Sequence, residues 1–245
     1  MTRKKLESYL EKNPFAKLSE IVTQILYDEI VVLDIPPASK LNVNQIASDL
    51  GISRTPVVEA INRLQAIGFV ETRPKASGFY VADMNLRDMI DLYNARAAIE
   101  CEAAALCAEK ASGEAIARME SLAMEFKKAI PKRDGKALKE TDMPFHRLIV
   151  DSCSNKYLIR SYNELVPNLT MYQGSWTKFI NPDKDNPWSS QVVHQHGAIV
   201  SAIKLRIPDL ARQSMAAHIR SSLNFVAYSD NTDDPFWIVK KSSEK

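Results

Sequence analysis

The stretch Asn42–Val81, NVNQIASDLGISRTPVVEAINRLQAIGFVETRPKASGFYV, constrains this chain more than any other. Its local signals succeed one another as helix, tight turn, helix and hairpin. Asn42 is placed to cap a first helix, with Gln45 three residues on as its capping-box partner. Ile46, Ala47 and Leu50 give that helix an apolar face. Gly51 ends it, because a left-handed position costs glycine no Cβ clash. Ser53 or Thr55 caps the second helix, and Pro56 falls in its first turn, where a missing N–H does no harm. Val57, Ala60, Ile61 and Leu64 recur at helical spacing as the inward stripe. Phe69–Glu71 and Phe79–Val81 then read as two strands of a hairpin, joined by Arg73-Pro74-Lys75-Ala76-Ser77-Gly78. The order is that of a winged helix-turn-helix, whose second helix enters the major groove while the wing meets backbone or minor groove.

On the second helix Arg54, Thr55, Val58 and Asn62 point away from the inward stripe. A guanidinium at Arg54 matches a guanine edge or a phosphate bidentately. Arg63 has two readings, a DNA contact or an exposed pair with Glu59 one turn earlier. Lys75 and Gly78 belong to the wing, where Gly78 either admits close backbone approach or makes a tight turn.

The motifs GISRTPV, EA-I-RL and IGFV and the wing glycine resemble the DNA-binding domain of the GntR family of bacterial transcription regulators. The likeness runs from about residue 17 to 83. It implies a pseudo-palindromic double-stranded operator and DNA contacts from Ser53, Arg54, Thr55, Val58, Arg63, Lys75 and Gly78. Many relatives carry arginine where this chain has Val58, and often a charged residue where it has Asn44, so the preferred operator should differ.

The bulk numbers fit a regulator that is mainly α-helical. With 245 residues the chain can hold two modest domains, and 45% hydrophobic residues can fill a sizeable core. Only 7 glycines and few strand-like stretches beyond the wing favour helix. A net charge of +2 confines any nucleic-acid surface to a local patch. Cys101, Cys107 and Cys153 have no C-x-x-C spacing and read as reduced thiols of a cytoplasmic protein. Residues 1–16 lack the apolar centre of a signal peptide. No apolar run reaches the roughly 18 residues that a membrane span needs.

Four segments follow from these signals. Residues 1–16 form an N-terminal extension, either a frayed terminus or a basic arm through Arg3, Lys4 and Lys5. Residues 17–83 are the winged domain, opened by a helix from Leu18 to Leu33. Residues 86–227 read as an all-helical bundle. Its helices are expected at Leu86–Lys110, Gly113–Ile130, Ala137–Ser152, Asn155–Thr177 (bent or broken at Pro167), Ser189–Leu205 and Pro208–Ala227. Residues 228–245 are a polar tail with a Phe236-Trp237-Ile238 cluster, docked on the body or on a partner subunit.

The bundle carries a second constellation. Asp142 and His146 stand at i and i+4, on one helix face. His196 shares a face with Ile199 and Ile203, and His218 follows Ser214 and Met215 by one turn. One carboxylate and three imidazoles can converge on a divalent ion such as zinc, nickel or manganese. Spacing alone fits packed core histidines equally well. The stretches LYNARAAIECEAA, DMPFHRLIVDSCSN, HGAIVSAI and ARQSMAAHI resemble the FCD-type ligand-binding domain of the FadR-like branch of the same family. That likeness implies a metal held by Asp142, His146, His196 and His218, and a small carboxylate effector on the metal. Arg96 matches an arginine that faces the effector pocket, although an ion pair with Glu100 is the alternative. His194 matches no family position and reads as a surface or supporting residue. Tyr172 and Trp176 line either a pocket or the core.

The expected function is a ligand-responsive, homodimeric transcription regulator that is not an enzyme. A metal-dependent hydrolase or oxygenase using the Asp/His cluster is the alternative. Against it, no nucleophile elbow, P-loop or H-E-x-x-H pattern occurs, and an enzyme has no need of a helix-turn-helix. An architectural DNA binder with a helical dimerisation body is a third class, which a metal assay would separate from the first.

Overall fold

The computed structural model describes residues 1–74, 76–83, 86–131, 135–179 and 187–228. Lys75, the 229–245 tail with its Phe236-Trp237-Ile238 cluster, and most of the Asn181–Pro187 loop lie outside these residues, as does the side chain of Trp176. Among them stand ten helices and one small sheet. The chain divides into two compact units: Met1–Met84 with Pro167–Ser175, and Asn85–Val166 with the residues from Trp176 onward.

The first unit opens with a helix, α1 (Arg3–Lys12), capped by Thr2. This corrects the frayed-terminus reading of residues 1–16. What orders the segment is tertiary. Leu6 is buried, Lys5 Nζ reaches Glu29 Oε1 at 3.0 Å, and the Tyr9 hydroxyl donates to Asp28. Both acids lie on α2 (Leu18–Val31). The α2 helix buries Ile21, Val22, Ile25, Leu26 and Ile30.

β1 (Lys40–Leu41), which the sequence reading lacks, leads into α3 (Val43–Leu50). The Asn42 side chain caps α3 by accepting from the backbone N–H groups of Asn44 and Gln45, each at 3.1 Å. The expected reciprocal box does not form, because the Gln45 amide donates to Asp49 one turn on, at 2.6 Å. Gly51 closes the helix at φ +67°. α4 (Arg54–Ala66) follows and buries Val57, Ala60, Ile61 and Leu64 against α2.

β2 (Val70–Arg73) and β3 (Ala76–Val81) form the wing. The sheet has three strands rather than two, in the order β1-β3-β2, with Lys40 opposite Tyr80 and Leu41 opposite Phe79. A two-residue strand has too little pattern to show in a sequence, because pairing rather than propensity creates it.

The second unit is all helical: α5 (Leu86–Lys110), α6 (Gly113–Ala129), α7 (Gly135–Ser152), α9 (Pro187–Lys204), α10 (Pro208–Tyr228) and the parts of α8 (Lys156–Phe179) outside its Pro167–Ser175 stretch, which groups with the first unit. α8 is continuous through Pro167, where a break or bend was expected, and α7 likewise contains Pro144. α10 runs along α5, and α9 packs on α10 and on α6. Ala103, Ala104, Cys107 and Ala108 on α5 are fully buried, and small side chains there allow close helix approach. The polar site lies inside this bundle, where Arg96, Glu100, His146, His196 and His218 are all buried.

Candidate functional site

The exposed end of α4 is its N-terminus. Ser53 takes the N-cap position with extended backbone, yet its side chain makes no capping hydrogen bond. Ser53, Arg54 and Thr55 are exposed together, and Val58, one turn on, is half-buried. Arg63 is drawn elsewhere: its Nη1 stands 3.5 Å from Glu20 Oε1 on α2, and Glu59 is not its partner. Gly78 sits in the wing at φ +105°, with Lys40 Cε 3.0 Å from where a Cβ would stand. A side chain there would meet both backbone strain and the lysine. Lys40 and Arg73 lie over the Tyr80 ring, at 5.8 and 4.5 Å from its centroid. These two cations flank the wing, and sequence reading missed Lys40 because nothing local ties it to residue 78.

The second site gathers side chains from α5, α7, α9 and α10. Asp142, His146, His196 and His218 offer donor atoms that all lie within 4.8 Å of one another. His146 Nε2 is 3.1 Å from His218 Nε2, and 3.8 Å from Asp142 Oδ1. His196 Nε2 is 3.4 Å from the same Asp142 oxygen. Donors about 2.0–2.2 Å from a shared zinc would stand about 3–4 Å apart, the range of these three separations, and imidazole and carboxylate are zinc-type ligands.

The hydrogen bonds behind the rings sharpen the fit. His146 Nδ1 is 2.6 Å from Glu100 Oε2, and a carboxylate only accepts, so Nδ1 carries the proton. His218 Nδ1 is 3.2 Å from the Gln195 amide oxygen, which fixes the same tautomer. Each ring therefore turns an Nε2 lone pair toward the other across 3.1 Å. Two buried lone pairs facing each other repel unless a cation lies between them. The third imidazole, His196, has both ring nitrogens buried without a hydrogen-bond partner among the described residues. Phe145 stacks on it at 4.4 Å, and the Phe126 edge meets it at 5.0 Å.

Burial favours the neutral form of His196 and His218. Burial lowers His196 to about 3; Asp142 opposes that shift, while His146 and Arg96 add to it. Burial lowers His218 as well, assisted by the other two histidines. Neutral imidazole is the ligand form. Burial would raise the Glu100 carboxyl, but Arg96 and His146 overcome it and hold it at about 2. The Arg96 guanidinium donates from Nε to Glu100 Oε1 at 2.6 Å. Its Nη2 is buried without a hydrogen-bond partner among the described residues, as is the Tyr162 hydroxyl on α8. Arg96 thus forms the ion pair with Glu100, with Nη2 left over as a donor. Glu100, Gln195 and Tyr162 are site residues that sequence reading did not single out for this role. Only the i,i+4 spacing of Arg96 and Glu100 hinted at one of them.

The remaining assignments separate from the cluster. His194 is exposed and borders a groove between α6 and α9 with Met124, Lys127 and Gly197. Tyr172 is buried, in the part of α8 that groups with the first unit.

Residues 91–221 match the FCD domain, and residues 18–81 match the bacterial regulatory proteins of the gntR family. The chain belongs to the GntR family. Among its relatives, the Nta operon transcriptional regulator of Aminobacter aminovorans is 26% identical over 81% of this chain and 94% of its own length. The HTH-type transcriptional repressor RspR of Escherichia coli K12 is 24% identical over 85% of this chain and 88% of its own. Among solved structures, E. coli McbR/YncC has the same fold, with a TM-score of 0.69 at 20% identity over 86% of this chain and 97% of that one. This GntR-family protein is a DNA-binding transcription regulator of the GntR/FCD type. The matched families and relatives are regulators rather than enzymes, which removes the reading of the acid–histidine cluster as a hydrolase or oxygenase centre. No helix among the described residues is long and apolar enough to cross a membrane.

Proposed function

We propose that this GntR-family regulator holds one divalent ion, zinc, nickel or manganese, through Asp142, His146, His196 and His218, and that a small carboxylate bound there modulates its grip on DNA. The observation that carries the reading is the buried His146–His218 pair, two Nε2 atoms 3.1 Å apart with both Nδ1 atoms committed elsewhere. A bound dication would supply the positive charge that such lone pairs need and that a carboxylate seeks. Glu100 and Arg96 cancel each other, and Asp142 contributes one negative charge. Three neutral imidazoles contribute none, so the loaded site keeps a net charge of about +1 in a weakly screened interior. A monoanionic effector balances it. Arg96 Nη2 is the donor left to bind and orient a second oxygen of that effector.

At the other site, Ser53, Arg54, Thr55, Val58 and Arg63 read or grip the duplex, Arg63 by leaving its exposed pair with Glu20, and Lys75 and Gly78 meet it from the wing. The winged DNA-binding domain spans 17–83 and the effector-binding and dimerisation body 86–227, each enclosing one of the matched regions, 18–81 and 91–221. The protein works in the cytoplasm as a homodimer through that body, because two half-sites of a pseudo-palindromic operator give one small reading head its specificity. Effector occupancy changes DNA binding only by favouring one of two arrangements.

Elemental analysis of protein purified without a metal-affinity tag tests the ion, with one equivalent per chain expected. A thermal-shift series of small carboxylic acids tests the effector. His146→Ala and His218→Ala should abolish both responses. Protein that takes up no zinc, nickel or manganese on incubation would reduce the cluster to packed polar side chains.

A further inference from the structure

The helix α1 lies wholly before residues 18–81, the part of the chain that matches the gntR family. It is docked, and its faces divide the work. Leu6, Lys5 and Tyr9 hold it on α2. Arg3 and Lys4, at its N-terminal end, are exposed, Arg3 with 72% of its side chain in solvent.

Arg3 crosses the turn of the helix-turn-helix. Its Cδ and Nη1 are 3.4 and 3.5 Å from where a Cβ on Gly51 would stand. Gly51 precedes Ser53, the N-cap of α4, by two residues, a span of at most about 7 Å of chain. The end of a recognition helix that meets base edges is its N-terminus, and the flanking elements meet phosphate. A guanidinium beside that turn is therefore beside the duplex backbone. Its present partner is Glu7 on the same helix, with Arg3 Nε 3.2 Å from Glu7 Oε1. An exposed i,i+4 pair of this kind is weak and screened, so a phosphate can displace it.

We propose that α1 is a second DNA-contact element, in which Arg3, held beside the Gly51 turn, and its exposed neighbour Lys4 bind backbone phosphates that flank the bases read by α4. The proposal rests on the docking of α4 in the major groove and extends the footprint by the phosphate contacts of these two residues. These contacts raise affinity on every sequence and carry no base preference.

The test uses the full chain and a labelled 30-base-pair duplex of mixed sequence, titrated by fluorescence anisotropy at about 50 to 200 mM salt. Arg3→Ala/Lys4→Ala should bind several-fold more weakly at the low-salt end. Its plot of log affinity against log salt should flatten by about 0.9 for each phosphate that is no longer neutralised. Glu7→Gln, which frees Arg3, should bind more tightly than wild type. Lys12→Ala, which removes one positive charge at the other end of α1, should change neither quantity. Thermal melts should coincide for all variants. Wild-type affinity and slope in the double variant, with Arg54→Ala weakened, would overturn the proposal and leave the docking of α4 standing. An equal loss in Lys12→Ala would also overturn it, since bulk charge would then explain the effect. If Arg54→Ala binds like wild type, the docking of α4 falls and this proposal falls with it.

Discussion

At the scale of single residues, Glu100 carries the sharpest expectation. It holds His146 in the tautomer that presents Nε2, at 2.6 Å, and is itself held by Arg96 at 2.6 Å. Carboxylates that orient a ligating histidine typically contribute 10–100-fold in metal affinity. Glu100→Gln should thus weaken zinc binding by about that factor, read by competition with a chromophoric chelator, while far-UV circular dichroism stays unchanged. Removing the other partner is a different experiment. Arg96→Met leaves the Glu100 carboxylate, 0% exposed, with His146 as its remaining partner, and stranding a buried charge costs about 3–5 kcal/mol. On the DNA side, Arg54→Ala should cost about 1–3 kcal/mol on an operator if the guanidinium reads a base edge. If it grips only phosphate, an operator and a scrambled duplex should lose affinity equally.

At the scale of elements, α1 shows how a weakly patterned segment becomes ordered by what it docks on. Its apolar anchor is one leucine, and its polar anchors are the Lys5–Glu29 pair and the Tyr9–Asp28 hydrogen bond. Leu6→Ala should release α1 while leaving α4 intact. Amide hydrogen exchange over residues 3–12 should then speed up, with protection at Ile61 and Leu64 retained. Alkali should act on the same joint. Burial, and then the bond to Asp28, raise Tyr9 from 10.0 to about 12. A raised pKa contributes stability that is complete below the unfolded value and disappears as pH climbs through the folded one. Docking of α1 should accordingly weaken between pH 10 and about 12, an effect absent from Tyr9→Phe.

At the scale of the whole molecule, two compact units mean that one melting temperature is not a full description. Zinc should raise the transition of the helical unit, by about 2.7 kcal/mol at a hundred times its dissociation constant, and leave the winged unit where it was. Probes on the two units, such as amide protection at Leu64 and at Ile199, should separate the responses. Light scattering at micromolar concentration should return twice the 27.5 kDa chain mass. A 27.5 kDa monomer, also on DNA, would remove the two-half-site argument.

What the sequence determined by itself was local. A cap at Asn42, a left-handed glycine at Gly51 and an apolar stripe at Val57, Ala60, Ile61 and Leu64 act over one or two helical turns. Those are the distances over which backbone hydrogen bonds and side-chain periodicity operate. The helices of the bundle were legible for the same reason, and so was the i,i+4 pairing of Asp142 with His146. Only the tertiary structure decided the rest. The strand at Lys40–Leu41 exists because β3 pairs with it, and α1 is ordered because α2 presents Asp28 and Glu29. Whether Arg63 faced Glu59 or Glu20 depended on α2, which lies far off in sequence. Four ligand candidates from three helices met within 4.8 Å because the apolar faces of those helices packed together. Glu100 was assigned to His146, 46 positions away, by that packing and not by spacing. Burial then made the assignment matter, since a buried carboxylate, guanidinium and imidazole must satisfy one another where water cannot.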